Sequence, residues 1–218
     1  AETIFKNTLC YNARAAAQTQ RHRDLGLHIR RKARIRQSLY LCMYNGMTLD
    51  KESSAVDFST LVKFSISDGV LEKQASASIP GSVLNQFSMD EYQGYFRIAT
   101  TVDRYRVEKQ FYMYGVLPRV YETTEWTDQT NEVYILNENL DTVGKVTNLA
   151  PGEQIYSVRF QGDVGYVVTF YQTDPLFEID LRDPRNPIVT DALEITGVSD
   201  YLHSLGDNLL LGMDLRER

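Results

Sequence analysis

Only two cysteines, Cys10 and Cys42, occur in 218 residues. At most one disulfide can form, so the chain is not a small scaffold held together by bridges. Both lie in strand-like contexts and read as buried thiols, with a single bridge between them as the other reading. No CxxC pair and no zinc-type Cys/His spacing is present. No apolar run approaches the ~20 residues that a membrane helix needs. GxSxG, the phosphate-binding loop, GxGxxG and HExxH are all missing, which removes the signatures of α/β-hydrolases, P-loop nucleotidases, dinucleotide enzymes and zinc peptidases. No cofactor is expected. Helix-favouring stretches are also scarce after residue 37, whereas Tyr is abundant at 14 against 9 Phe and 1 Trp. Gly and Pro punctuate short apolar runs, the pattern of an all-β chain with many turns.

The net charge of −6 is unevenly spread. Residues 1–37 hold nine Lys or Arg against Glu2 and Asp24, a charge of +7, which leaves −13 for the remainder. The run "RHRDLGLHIRRKARIR" invites a nucleic-acid or anionic-lipid reading of residues 14–36. The acidic body opposes it, because it would repel phosphate. No nucleic-acid partner is therefore expected. The composition shift predicts an atypical basic leader over 1–37 and one folded unit over 38–218. His22 and His28 fall in the leader and read as solvated.

Three segments repeat one pattern: "VKFSISDGVLEKQASASIPG" (62–81), "VYILNENLDTVGKVTNLAPG" (133–152) and "LFEIDLRDPRNPIVTDALEITG" (176–197). Each is a strand, a polar turn, a second strand and a Gly. Each is followed by a second shared unit of strand, tight turn and strongly apolar strand, as in "IYSVRFQGDVGYVVTFYQ". "SLYLCMYNG" (38–46) looks like the end of an earlier copy of that unit. The two units make four strands in about 45 residues, the size of one β-propeller blade. In "GYVVTF" both alternating faces are largely apolar, as a sheet sandwiched between neighbours requires. The fold expected is an all-β propeller of four-stranded antiparallel blades. Blades end near 81, 152 and 197, followed by a half blade. That is a partial ring of about three and a half blades, read as a fragment of a longer chain.

"SIPGSVLNQFSMDEYQGYFRIATT", the whole stretch 131–189 and "GVSDYLHSLGDNLLLGM" resemble secreted bacterial and archaeal proteins that carry a C-terminal β-propeller domain distantly related to WD repeats. The resemblance covers roughly residues 58–213. "LFEIDLRDPRNPIV" is also similar to the LVIVD type of propeller repeat. It implies a propeller fold and a secreted or cell-surface location. It implies no catalytic residues.

The clustered aspartates Asp174, Asp180 and Asp183 invite a calcium reading, but a strand separates the first two, which is wrong for one ligand loop. Asp before Pro is a turn opener, so no metal is expected. Asp183-Pro184-Arg185-Asn186-Pro187 reads as a rigid hairpin corner, and "PGS" (80–82) and "PGE" (151–153) as equivalent crossings between blades. The copies are 71 and 43 residues apart because 102–130 is inserted between the second and third strands of its blade. This insertion holds Tyr105, Phe111, Tyr112, Tyr114, Tyr121 and Trp126, mixed with Arg104, Arg106 and Arg119. Aromatics with Arg mark recognition surfaces; alternatively these rings cover the blade's own edge. His203, on an axis-facing first strand, is a further ligand candidate. The function expected is a non-catalytic module binding a protein, peptide or glycan, with Tyr105, Tyr112, Tyr114, Tyr121, Trp126 and His203 as candidate contacts. The alternative is a channel-centred hydrolase or lyase acting on polysaccharide, which requires Asp90, Glu91, Arg159 and His203 to converge.

Overall fold

A computed structural model of the chain describes residues 11–12, 37–51, 54–114, 117–170, 174–195, 201–206 and 209–213. Nearly all of these residues are strand. β1 (Tyr11–Asn12) is a short parallel pairing onto β2 (Gln37–Lys51). β2, β3 (Ser54–Ser67) and β4 (Val70–Pro80) form the first blade. β5 (Met89–Tyr92), β6 (Tyr95–Tyr114), β7 (Leu117–Leu136) and β8 (Thr142–Leu149) form the second, as a four-stranded antiparallel meander. β9 (Gln154–Gln161), β10 (Val164–Phe170), β11 (Asp174–Asp180) and β12 (Ile188–Ile195) form the third. β13 (Tyr201–Gly206) and β14 (Leu209–Met213) pair as a half blade. The expected propeller of four-stranded blades, left as an open ring, is thus the observed architecture. The predicted leader lies outside the described residues except for Tyr11, Asn12 and Gln37.

The doubly apolar strands have the predicted cause. In β6 and β7 alternate side chains go to opposite faces. Ile98, Tyr134 and Leu136 pack with Tyr40, Leu61 and Ile79 of the first blade. Their chain neighbours Ala99, Val133 and Ile135 pack with Ile155, Val158, Val167 and Ile179 of the third. Tyr40 stacks on Phe96 across the first interface, 4.1 Å between ring centroids. Each fully buried Ile, Leu or Val is worth roughly 1.5–3 kcal/mol, so the blades hold one another rather than folding alone.

The crossings are equivalent, as the repeat implies. The Gly81 amide donates to the Asp57 carbonyl on β3 at 2.6 Å, and the Gly152 amide donates to the Gln129 carbonyl on β7 at 2.7 Å. Two residues along each strand a buried polar side chain completes the anchor. The Ser59 hydroxyl donates to the Gly81 carbonyl, and the Asn131 amide donates to the carbonyls of Leu149 and Glu153. The Asp-Pro corner is also structural. Asp183 accepts the Arg185 amide and Asp180 accepts the Arg182 amide and guanidinium. Pro184 rests on Gly144 of the preceding blade, where a Cβ would lie 2.2 Å from its carbonyl oxygen.

Cys42 is a free, buried thiol on β2. Burial pushes its pKa up to about 11, with a Ser59 hydrogen bond opposing the shift. A thiol held neutral and covered is a poor nucleophile. Iodoacetamide at pH 8 is therefore expected to leave Cys42 unmodified in the native protein and to modify it in guanidinium, read by peptide mass mapping. Equal labelling rates in the two states would contradict the packing of β2. Cys10 lies outside the described residues.

Candidate functional site

The insertion is not an irregular loop. It extends β6 and β7 into a 20-residue-stranded hairpin, paired from Phe96↔Leu136 out to Tyr114↔Leu117. β2 and β3 form a second long hairpin. The two join edge to edge where Ser54, Ala55 and Val56 of β3 pair with Arg106, Tyr105 and Arg104 of β6. Two adjacent blades therefore stack through their cores and share one sheet at their outer ends. The crossing segment fills the fork between them, with Ser82 and Thr101 exchanging backbone hydrogen bonds.

This joint gathers one face of four strands into an acid–aromatic cluster. Asp57, only 5% exposed, accepts the Tyr44 hydroxyl at 2.6 Å, and its carboxylate also acts on the Tyr105 phenol. Partial desolvation, reinforced by the Asp57 carboxylate, raises the pKa of both phenols above the usual tyrosine value. Both remain protonated donors at physiological pH. Asp103 accepts the Trp126 indole N–H at 3.1 Å and the Gln129 amide at 2.8 Å. Tyr105 and Trp126 are cross-strand partners, set by a bulge that leaves Thr127 out of the register, its hydroxyl donating to the Arg104 carbonyl at 3.0 Å. On the opposite face Glu132, 4% exposed, accepts Arg104 at 2.7 Å and the Tyr134 hydroxyl. A cleft of about 170 Å³ opens beside Tyr44, lined by Ser59, Leu84, Asn85 and Gln86 among others. It is smaller than the ~300 Å³ at which enclosed small-molecule sites begin, so the arrangement suits surface contact rather than engulfment.

The candidate residues separate into three places. Tyr105 and Trp126 are brought together at the root of the hairpin. Tyr112 and Tyr121 pack edge-on farther out, 5.7 Å between centroids. Tyr114 ends β6, and its side chain lies outside the described residues. His203 is exposed on β13, in a different sheet, beside β9. Of the residues that a channel-centred enzyme would need, Asp90 is ion-paired with Arg97. Glu91 follows it on the opposite face of β5, and Arg159 sits over the Phe87 ring. Among the described residues no group of three or more His, Cys, Asp or Glu is placed to hold a metal ion, and no helix is long and apolar enough to cross a membrane. Sequence reasoning missed Tyr44, Asp57 and Asp103. The strand patterns on either side of the polar stretch "DKESS" would have revealed the β2–β3 hairpin, but not its lateral partner.

Stacked antiparallel blades, the first joined to the second at Gly81 and the second to the third at Gly152, define a β-propeller. The chain belongs to the beta propeller domain family, whose model matches residues 35–216. It is 40% identical over 167 residues to an uncharacterised protein of Archaeoglobus fulgidus, covering 77% of this chain and 23% of that one. It is 44% identical over 138 residues to an uncharacterised protein of Methanocaldococcus jannaschii, covering 63% of this chain and 19% of that one. The chain thus spans less than a quarter of the length of these relatives.

Proposed function

We propose that this propeller segment is a non-catalytic binding module of a secreted or cell-surface protein. Its ligand is a protein, peptide or glycan, and the root of the β6–β7 hairpin is where it grips. The observation that carries this reading is Trp126. Its ring is 55% exposed, yet its N–H is anchored to Asp103. An aromatic ring held in place before the ligand arrives loses little further freedom on binding. Tyr44, tied to Asp57, and Tyr105, the cross-strand partner of Trp126, extend the platform. Exposed flat rings flanked by fixed polar groups suit an amphipathic ligand, and among the three classes a sugar chain fits best. The His203 side chain is a separate candidate contact.

Trp126→Ala is expected to weaken the interaction at least about tenfold, in the range of a hot-spot aromatic, while costing about 1 kcal/mol of stability for the lost cross-strand pair with Tyr105. Arrays of glycans and of peptides, probed with wild type and variant, provide the comparison. Because Trp126 is the only tryptophan, its fluorescence reports occupancy directly. A ligand whose affinity is the same for both proteins, and which leaves the emission unmoved, would place binding elsewhere.

A further inference from the structure

We infer that the outer end of the β6–β7 hairpin is a membrane-interface anchor, which partitions shallowly into a lipid headgroup layer. The outer ends of the two strands read "FYMY" (111–114) and "LPRVY" (117–121), and the sequence has no acidic residue between Glu108 and Glu122. Lys109 and Arg119 are the charges in that interval. The register places Phe111 opposite Val120 on one face, with Met113 beside them, and Tyr112 and Tyr121 on the other. Phe111 is 73% exposed and Met113 69%, and Val120, Tyr112 and Tyr121 are each more than half exposed.

Apolar exposure on both faces is the deciding feature. A protein groove covers one face of a hairpin and leaves the other in water; a lipid layer surrounds both. The chemistry is also layered along the arm. The apolar end comes first, with tyrosines whose amphipathic rings suit an interface. Then come the exposed ion pairs Lys109–Glu122 and Arg106–Glu125. From Asp103↔Gln129 to Tyr114↔Leu117 the arm runs 11 residues, roughly 37 Å at ~3.4 Å each. The screening length at physiological salt is ~8 Å. The arm thus holds the acidic body several screening lengths from an anionic surface while Arg119 reaches it. Among the described residues, beyond Arg106 and before Asn131 the two strands pair only with each other. Their outer backbone groups need water or headgroups, which excludes deep insertion and limits burial to about 5–10 Å.

The test is co-sedimentation of the whole chain with vesicles of phosphatidylcholine alone and of equal parts phosphatidylcholine and phosphatidylserine. Wild type is expected to pellet with the mixed vesicles and more weakly with the neutral ones. The double variant Phe111→Ser/Met113→Ser is expected to lower partition at least about tenfold, and Arg119→Glu to lower it several-fold on mixed vesicles only. Trp126→Ala leaves partition unchanged, which separates this inference from the proposed ligand site at the root. A reporter with Tyr112→Trp in a Trp126→Phe background is expected to shift its emission to the blue on mixed vesicles and to be quenched by brominated lipid. Pelleting no greater than in vesicle-free blanks overturns the inference. So does full binding by the double variant, an unshifted reporter, or vesicle-independent self-association abolished by the double variant, which would make a second copy the occupant.

Discussion

Replacing Arg97 by alanine is expected to cost about 3 kcal/mol of folding stability, the low end for breaking a buried ion pair by removing one partner, because water reaches the 31% exposed Asp90. Arg97 is 3% exposed, on β6. Its guanidinium pairs with Asp90 on the neighbouring strand of its own blade and donates to the Gly162 carbonyl of the third blade. It also lies over the rings of Tyr92, at 5.0 Å, and of Phe160, at 5.1 Å. One side chain thus fastens the second blade to the third. Alanine leaves the Asp90 carboxylate without its counter-ion, the Gly162 carbonyl without this donor, and a cavity between two aromatic rings. Lysine would not rescue it, because one ammonium lacks the planar fork that reaches both acceptors. Asp90→Ala should also destabilise, and the double variant should cost less than the sum of the two, since both remove the same pair. Guanidinium denaturation reads this as a lower midpoint at unchanged slope. A loss within about 0.5 kcal/mol for Arg97→Ala, the range of an ordinary surface change, would be incompatible with this role.

Gly81→Ala is expected to cost about 3 kcal/mol or more, whereas Gly152→Ala at the equivalent crossing costs about 1–2 kcal/mol, the penalty of a left-handed conformation alone. Their φ angles are nearly the same, +88° and +84°. Their surroundings differ. A Cβ on Gly81 would sit 2.4 Å from the Thr101 carbonyl oxygen and 2.8 Å from Val102, while on Gly152 it would meet nothing within 4 Å. The clash at Gly81 is with backbone that also exchanges two hydrogen bonds with Ser82, so relief requires opening the fork between β3 and β6. Paired denaturation curves separate the two effects. Equal losses at both glycines would mean that the crossing segment does not fill that fork.

Much of the architecture was legible because it is encoded locally. Two-residue alternation, Pro-Gly crossings and the Asp-Pro corner recur with the blade, and the insertion was placed correctly between second and third strands. Its form was not legible. "RYRVEKQFYMY" and "RVYETTEWTDQT" alternate well enough to be strands, but nothing local distinguishes a free-standing hairpin from a loop without the β2–β3 arm beside it. The site was legible in half. The aromatic insertion pointed to Tyr105 and Trp126, but their acidic partners were hidden. Asp57 lies 48 residues before Tyr105, and nothing in its own strand marks it as that partner. Asp90, weighed as part of a catalytic set, is a structural partner of Arg97.

The sequence by itself determined the blade: four antiparallel strands, apolar on both faces, meeting their neighbours at glycine crossings. Tertiary structure alone decided that two blades also join edge to edge through Ser54–Val56 and Arg104–Arg106, and that Tyr44, Asp57, Tyr105, Asp103 and Trp126 share one face. The reason is geometric. A residue's face follows from its position along its own strand. Which strand lies beside it, and in what register, depends on free edges contributed by residues about 50 positions away. Period, spacing and turn chemistry carry no mark of that choice.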